Sequence, residues 1–395
     1  MKRTKKFLVA LLACLSVLAG SLGLAACGET SSSLQSGSST EEGSSTEEGG
    51  STEEDSSIEN SLIEEGATEG VRYQQVEGKE EYTVVGLETG ADGDIVISST
   101  YDGLPVTSIG ANAFSDTPSL TSVVIPNGVT SLAYRSFYGC KNLVSVTIPD
   151  SVTSIAGSVF DHCTSLTSIT IPDSVTSIST STFFCCTSLT SVTLSSNLKA
   201  ISNNLFNACS SLTSITIPEN VTSIGDNAFG YCSALTSVTL PEKVTKIGYR
   251  AFYYCTGLTS VNIPAKVTTI GEKAFGGCDS LQYKEDGGAK YLGNADNEYF
   301  ALVEVKNADI TNLTVHNDTK LVANKVFSGC TSLASVTFGS GLAYIGADSF
   351  EYCTSLASIT FNGTKAQWNK VKKNSGWNTS VPATKVVCSD EDVAL

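Results

Sequence analysis

From Tyr101 onward, apolar and polar positions recur with a period of 23 residues. Phe114, Phe137, Phe160, Phe183, Phe206, Phe229, Phe252 and Phe275 form one column, which Phe327 and Phe350 resume after an interruption. Cysteine follows most of these phenylalanines by three places, from Cys140 to Cys278 and again at Cys330 and Cys353, and leucine lies three further on. A fixed period in this range predicts a solenoid, in which one coil cannot bury its apolar face and stacked coils share one core. The coil Cys209–Cys232, CSSLTSITIPENVTSIGDNAFGYC, displays the unit. Ile215 and Ile217 alternate inward along a strand, Thr216 points outward, and Pro218 ends the strand because it has no N–H for a ladder. Val221 and Ile224 begin the return path, Gly225 permits a turn, and Ala228, Phe229 and Cys232 point inward at helical spacing. The pattern predicts a β-rich (α+β) solenoid of 23-residue coils with terminal caps.

Departures from the period mark the other parts. Coils span 106–361, with irregular ones near 279–324, where Cys278 and Cys330 lie two periods and six residues apart. Counted back from Phe327, Ile310, Leu313, Val315 and Val322 fall on apolar positions, so a degenerate coil is expected there. The longer coil before it is expected to bulge as a small hairpin. Residues 71–105 lack the repeat; Tyr82–Val85 and Asp94–Ile97 read as a β hairpin capping the first coil, since an open solenoid end is an aggregating edge. Residues 362–395 hold both tryptophans, Trp368 and Trp377, and are expected to cap the last coil.

The unit L-T-S-[IV]-T-[IL]-P-x-x-V-T-x-I-G-x-x-A-F-x-x-C resembles the BspA-like, Treponema-type leucine-rich repeat over roughly Val106 to Phe361. As in that family, an asparagine ladder after the strand is absent, and Pro149, Pro172, Pro218, Pro241 and Pro264 occupy that neighbourhood. The resemblance implies a protein of a bacterial or protozoan surface that acts in adhesion or protein interaction. Tyr291–Asn294 and Tyr299–Val303 resemble an insertion that recurs in the family, and Gly363–Trp377 resembles its C-terminal cap.

The ends and the charge sharpen this picture. Residues 1–26 open with Lys2, Arg3, Lys5 and Lys6, continue with an apolar stretch, and read as a secretory signal. Leu24-Ala25-Ala26-Cys27-Gly28 resembles a bacterial lipobox, which implies lipidation of Cys27 and anchoring to the outer face of the cell membrane by two acyl chains. Residues 27–70 form a Ser/Thr/Gly/Glu-rich segment; Gly28 to Gly70 holds 12 acidic residues and no Lys or Arg. It has little to bury and is expected to be a disordered tether of roughly 35–40 Å as a random coil. The formal charge of −16 becomes more negative once the signal is lost. That argues against nucleic acid, which needs basic patches.

His162 and His316 sit in no Ser-His-Asp or Cys-His spacing, and His162 occupies a variable, outward position beside the cysteine rank. The rank cysteines lack the C-x-x-C pairs of zinc sites and are expected to be buried free thiols, since parallel side chains in one rank rarely meet disulfide torsions. No cofactor is expected, and the reading is non-catalytic. Surface residues remain. Thr170, Thr193, Thr216 and Thr239 are expected to line one exposed strand face in register, although threonine also simply favours strands. Tyr138, Tyr231, Tyr253 and Tyr254 flank the Phe-Cys turn, vary between coils, and suit an interface. The expected partner is a protein or glycan; the alternative is a spacer protein of the envelope that associates with itself.

Overall fold

A computed structural model describes residues 66–395. The expected signal peptide, Cys27 and all but the last residues of the expected tether lie outside that range. The described chain winds as a solenoid with two parallel sheets. The L-x-x-[IV]-x-[IL] segments form one: Leu120–Val124 pairs with Ser145–Thr147, and Ser168–Thr170 pairs with Ser191–Thr193 in the register Ser168 to Ser191. The V-T-x-I segments form the other, through Leu104–Ile109, Ser131–Leu132 and Ser154–Ile155, then Ala200–Ile201 to Thr269–Ile270. Each register offset equals one sequence period, so identical residues stack. Prolines turn the chain between sheets: the N–H of Val175 donates to Pro172 O at 3.0 Å and that of Val221 to Pro218 O at 3.0 Å. Where Ser195 replaces proline, Leu198 N–H makes the same turn at 3.3 Å, and the buried Ser195 hydroxyl donates to Val175 O at 2.6 Å.

The phenylalanine column is a continuous stack. From Phe114 to Phe275 successive ring centroids lie 5.0 to 5.6 Å apart and nearly parallel. That spacing is the rise between coils combined with a lateral offset, the arrangement aromatic quadrupoles favour. The cysteines do more than fill space. Every rank thiol except that of Cys330 donates to the phenylalanine carbonyl of the preceding coil, as Cys163 to Phe137 O at 3.1 Å and Cys255 to Phe229 O at 3.0 Å. All nine rank cysteines are free and buried.

The turn that carries each phenylalanine is not helical, despite the helical spacing of its apolar residues. The residues two before and two after each Phe have positive φ: Asn227 at 52° and Tyr231 at 60° around Phe229, Arg250 at 52° and Tyr254 at 56° around Phe252. A left-handed residue every fourth position stops a right-handed helix. The cause is lateral. The N–H groups of Arg250, Phe252 and Tyr254 leave their own coil and donate to Glu272 O, Ala274 O and Gly276 O of the next, at 3.0, 2.7 and 2.8 Å. Inter-coil bonds replace the i to i+4 bonds of a helix.

The caps differ in part from expectation. Val71–Gln75, not Asp94–Val96, forms the hairpin with Tyr82–Leu87. Tyr82–Leu87 also pairs parallel with Leu104–Ile109, and Gly93–Val96 with Leu120–Val124. The stretch read as a hairpin is therefore an extra coil, with Val84, Ile95 and Ile97 buried as its rungs. Thr68, assigned to the tether, already donates its N–H to Val96 O at 2.8 Å. At the other end Trp368 and Trp377 are 2% and 9% exposed, and Trp377 meets Phe350 edge-on at 6.2 Å, which closes the stack. A single helical turn, Lys365–Trp368, with a Thr364/Gln367 capping box delivers Trp368. Val393–Ala394 folds back antiparallel on Lys385–Val387 over the last edge.

Burial pushes the rank thiols up, to about 12 for Cys140, Cys278 and Cys353, from an ordinary value of 9.0. The unfolded chain then releases thiol protons that the folded chain retains. The stabilising contribution is complete below about pH 9 and is lost as pH rises towards about 12. A urea midpoint that is level between about pH 6 and 8 and falls progressively above pH 9 is expected; a level midpoint up to about pH 11 would contradict thiol burial.

Candidate functional site

Two clusters of aromatic and cationic side chains occupy the phenylalanine-turn edge, five periods apart. In the first, the Arg135 guanidinium lies over the rings of Tyr134 at 5.1 Å and Tyr138 at 4.6 Å. In the second, Arg250 lies over Tyr249 at 4.9 Å and Tyr253 at 4.5 Å. Each arginine has a buried Nε without a hydrogen-bond partner. Such an arginine is held by ring faces more than by hydrogen bonds. The second cluster is the larger. Tyr231 stacks on Tyr254 at 5.6 Å and meets Tyr253 edge-on at 5.7 Å, and Tyr253 meets Tyr254 at 4.6 Å. Burial raises the Tyr231 hydroxyl above its ordinary value, as it does for Tyr138.

The structure thus joins three of the four predicted tyrosines and places Tyr138 in the other cluster. There His162 sits between the rings of Tyr138 at 5.8 Å and Phe184 at 5.5 Å, with its Nδ1 2.5 Å from Asp161 Oδ1. His162 is therefore half-buried in a column of rings and not the outward residue its place in the repeat suggested. Tyr134, Arg135, Tyr249 and Arg250 were missed by the sequence reading. Their signal was present: the Tyr-Arg pair recurs 115 residues apart, a whole number of periods.

Tyr231 and Tyr254 occupy the left-handed position after phenylalanine, where other coils have Gly139, Gly277 and Gly329 but also Asp116, His162, Cys185, Ala208 and Tyr352. A bulky residue there costs roughly 1–2 kcal/mol, so glycine is the default choice. Tyr254 also depends on glycine in the next coil. A Cβ on Gly277 would lie 2.9 Å from the Tyr254 ring, and one on Gly276 would lie 3.2 Å from the Tyr253 ring. The two rings, inclined at 72° to each other, lie against Gly276 and Gly277, and Tyr254 remains 39% exposed.

The threonine face is a separate surface. Thr170, Thr193, Thr216 and Thr239 are exposed, each two residues from an exposed serine (Ser168, Ser191, Ser214 and Ser237). Their hydroxyls have no partner within the described chain. By contrast, the threonine rank three residues earlier is bonded to the backbone of the preceding coil: Thr190 donates to Thr167 O at 3.0 Å and Thr259 to Thr236 O at 3.0 Å. Further along, Thr337 and Thr360 are half-buried and do not extend the open lane. At its C-terminal end the lane meets the irregular segment, a three-stranded antiparallel meander of Lys284–Asp286, Ala289–Leu292 and Ala301–Val305 where a two-stranded hairpin was expected. Thr239, Asn262, Gln282, Asn294 and Glu298 line a hollow of about 560 Å³ there. Among the described residues no His, Cys, Asp and Glu side chains cluster as metal ligands would.

The tyrosine–glycine fit is measurable. Gly277→Ala is expected to destabilise the fold by about 1–2 kcal/mol from positive φ, plus the ring clash. In a Tyr254→Ala background the clash disappears, so a double-mutant cycle by urea unfolding is expected to show coupling of about 0.5 kcal/mol or more. Additivity would place the ring away from Gly277.

Comparison with known proteins bears on the family. A family model for the BspA type leucine rich repeat region (6 copies) matches residues 107–236, 199–285 and 304–374. Among solved structures, a leucine-rich repeat protein from Bacteroides ovatus shares 23% identity, covering 82% of this chain and 100% of that one, with a TM-score of 0.39. The T. pallidum leucine rich repeat protein shares 24%, covering 67% and 88%, with a TM-score of 0.29. A leucine rich cell surface protein from Faecalibacterium prausnitzii shares 23%, covering 80% and 98%, with a TM-score of 0.32. No curated protein matches. The family model spans most of the chain and coincides with the coils described above, and the chain belongs to the BspA type leucine-rich repeat family.

Proposed function

We propose that this protein is a non-catalytic, lipid-anchored repeat protein on the outer face of a bacterial membrane, whose solenoid binds another protein or a cell-surface glycan. The observation that carries this reading is the ridge of Tyr231, Tyr249, Tyr253 and Tyr254 around Arg250. Tyrosine and arginine are enriched in the residues that dominate binding energy. Here Tyr231 and Tyr254 occupy left-handed backbone positions that other coils fill with residues as different as Gly139, His162 and Ala208, so the fold does not dictate tyrosine there. The open Ser/Thr lane, with amides at its end, offers a second, more polar surface suited to hydroxylated ligands.

The spacer alternative draws less support. Self-association of a solenoid runs most readily end to end, and both ends are covered, by the Val71–Leu87 hairpin and by the tryptophan cap. The anchor rests on the lipobox-like sequence around Cys27.

Two experiments test these readings. Full-length mature protein, confirmed monomeric, is to be titrated against matrix proteins, mucin and cell-wall glycans. One saturable hit, weakened by about ten-fold or more in a Tyr231→Ala/Tyr254→Ala variant with unchanged melting, is expected. No hit together with concentration-dependent self-assembly would reverse the preference. For the anchor, metabolic labelling with an alkynyl fatty acid is expected to tag the wild type and not Cys27→Ser, which would then appear in the medium. Equal labelling of both would remove the anchor from Cys27.

A further inference from the structure

The hydrogen-bond ladder along the phenylalanine turns is broken at one internal place. In ordinary coils the N–H groups at the Phe and two residues to either side donate to the next coil. Asn112, Phe114 and Asp116 donate to Tyr134 O, Ser136 O and Tyr138 O, and Lys325, Phe327 and Gly329 donate to Ala347 O, Ser349 O and Glu351 O. The coil after Phe275 has no such turn, because the meander replaces it. Consequently the N–H groups of Lys273, Phe275 and Gly277 have no partner among the described residues. The same holds for the carbonyls of Asn324, Val326 and Ser328, the positions that accept in every regular coil. All six residues line one cleft of about 450 Å³, with Tyr253 and Tyr254 among its other lining residues. That volume lies in the range of ligand sites. The aromatic stack stops here too, with no ring contact between Phe275 and Phe327, and the core divides into two clusters. One rung has been replaced: Tyr283 OH donates to Phe275 O at 3.0 Å, where a rank cysteine of the missing turn would have donated.

We propose that this cleft is a docking slot for the backbone of a partner polypeptide, which enters as the missing rung between the two stacks. Three donors belong to one wall and three acceptors to the other, all at alternate residues. A peptide main chain carries N–H and C=O groups at the same alternation and satisfies both walls, as a strand does when it joins an open sheet edge. Side chains on the incoming segment then meet the Tyr253 and Tyr254 rings. The proposal rests on the protein-binding form of the function above and assigns it a place and a mode.

The test uses amide exchange in the full chain, followed residue by residue. In the free protein the amides of Lys273, Phe275 and Gly277 are expected to exchange about ten-fold or more faster than those of Arg250, Phe252 and Tyr254, which are ladder-bonded. The probe is a blocked synthetic peptide of Gly225–Cys232, GDNAFGYC, the turn sequence of a regular coil. At saturation it is expected to slow those three amides by about ten-fold or more, whereas a scrambled peptide is not. Ser328→Trp, which fills the slot, is expected to abolish this protection, while Ser115→Trp at the same turn position of an intact coil leaves it. Slow exchange in the free chain, no protection by the probe, or protection that survives Ser328→Trp overturns the slot. A panel ligand lost on Tyr231→Ala/Tyr254→Ala but retained by Ser328→Trp would leave the surface reading standing and remove this one.

Discussion

The hydrogen bonds that leave each phenylalanine turn along the axis of the stack constrain most of this molecule. They require alternate N–H groups to face the next coil. That forces left-handed residues on both sides of the phenylalanine, and the left-handed residues forbid a helix. With the turn held in that form, the ring and the thiol three residues later both project inward. Rings then stack on rings, and the thiols, Cys330 excepted, reach a carbonyl of the coil before them. Cysteine suits the position because it is small and apolar and still carries a weak donor; a valine would fill the space and leave that contact unmade.

The same constraint decides where the surface becomes distinctive. A position that must adopt positive φ is filled at least cost by glycine. Where the chain places tyrosine instead, the ring is carried over the following coil: Tyr231 stacks on Tyr254, and Tyr254 lies against Gly277. The pairing of Tyr253 and Tyr254 with Gly276 and Gly277 follows from this geometry, as does the exposure of the cluster around Arg250. Immediately beyond these glycines the ladder stops. The unpaired backbone follows from the loss of a single turn to the meander, and the aromatic ridge stands beside it.

Much of this was legible in the sequence. The column of phenylalanines, the rank of cysteines, the proline turns and the tryptophan cap are periodic or local features, and the degenerate coil before Phe327 emerged from counting alone. The N-terminal coil was not legible, because Val84, Ile95 and Ile97 carry its apolar rungs without the phenylalanine and cysteine that mark the others. The tyrosines were found by their variation, but not their arginines, since Arg135 and Arg250 precede the phenylalanine on the other flank of the turn.

By itself, the sequence determined that the chain is a solenoid, what its period is, which residues stack in which rank, and where the regularity fails. Repetition makes those facts readable, since whatever one coil buries its neighbours bury too. Only the tertiary structure decided the conformation of the turn, which tyrosines share a cluster, which hydroxyls bond to the neighbouring coil, and that six backbone groups of Lys273 to Ser328 are left facing a cleft. Each of these depends on hydrogen bonds and ring contacts between neighbouring coils, joining residues about one period apart. Local propensity, which read the Ala228–Cys232 spacing as helical, carries no information about such bonds.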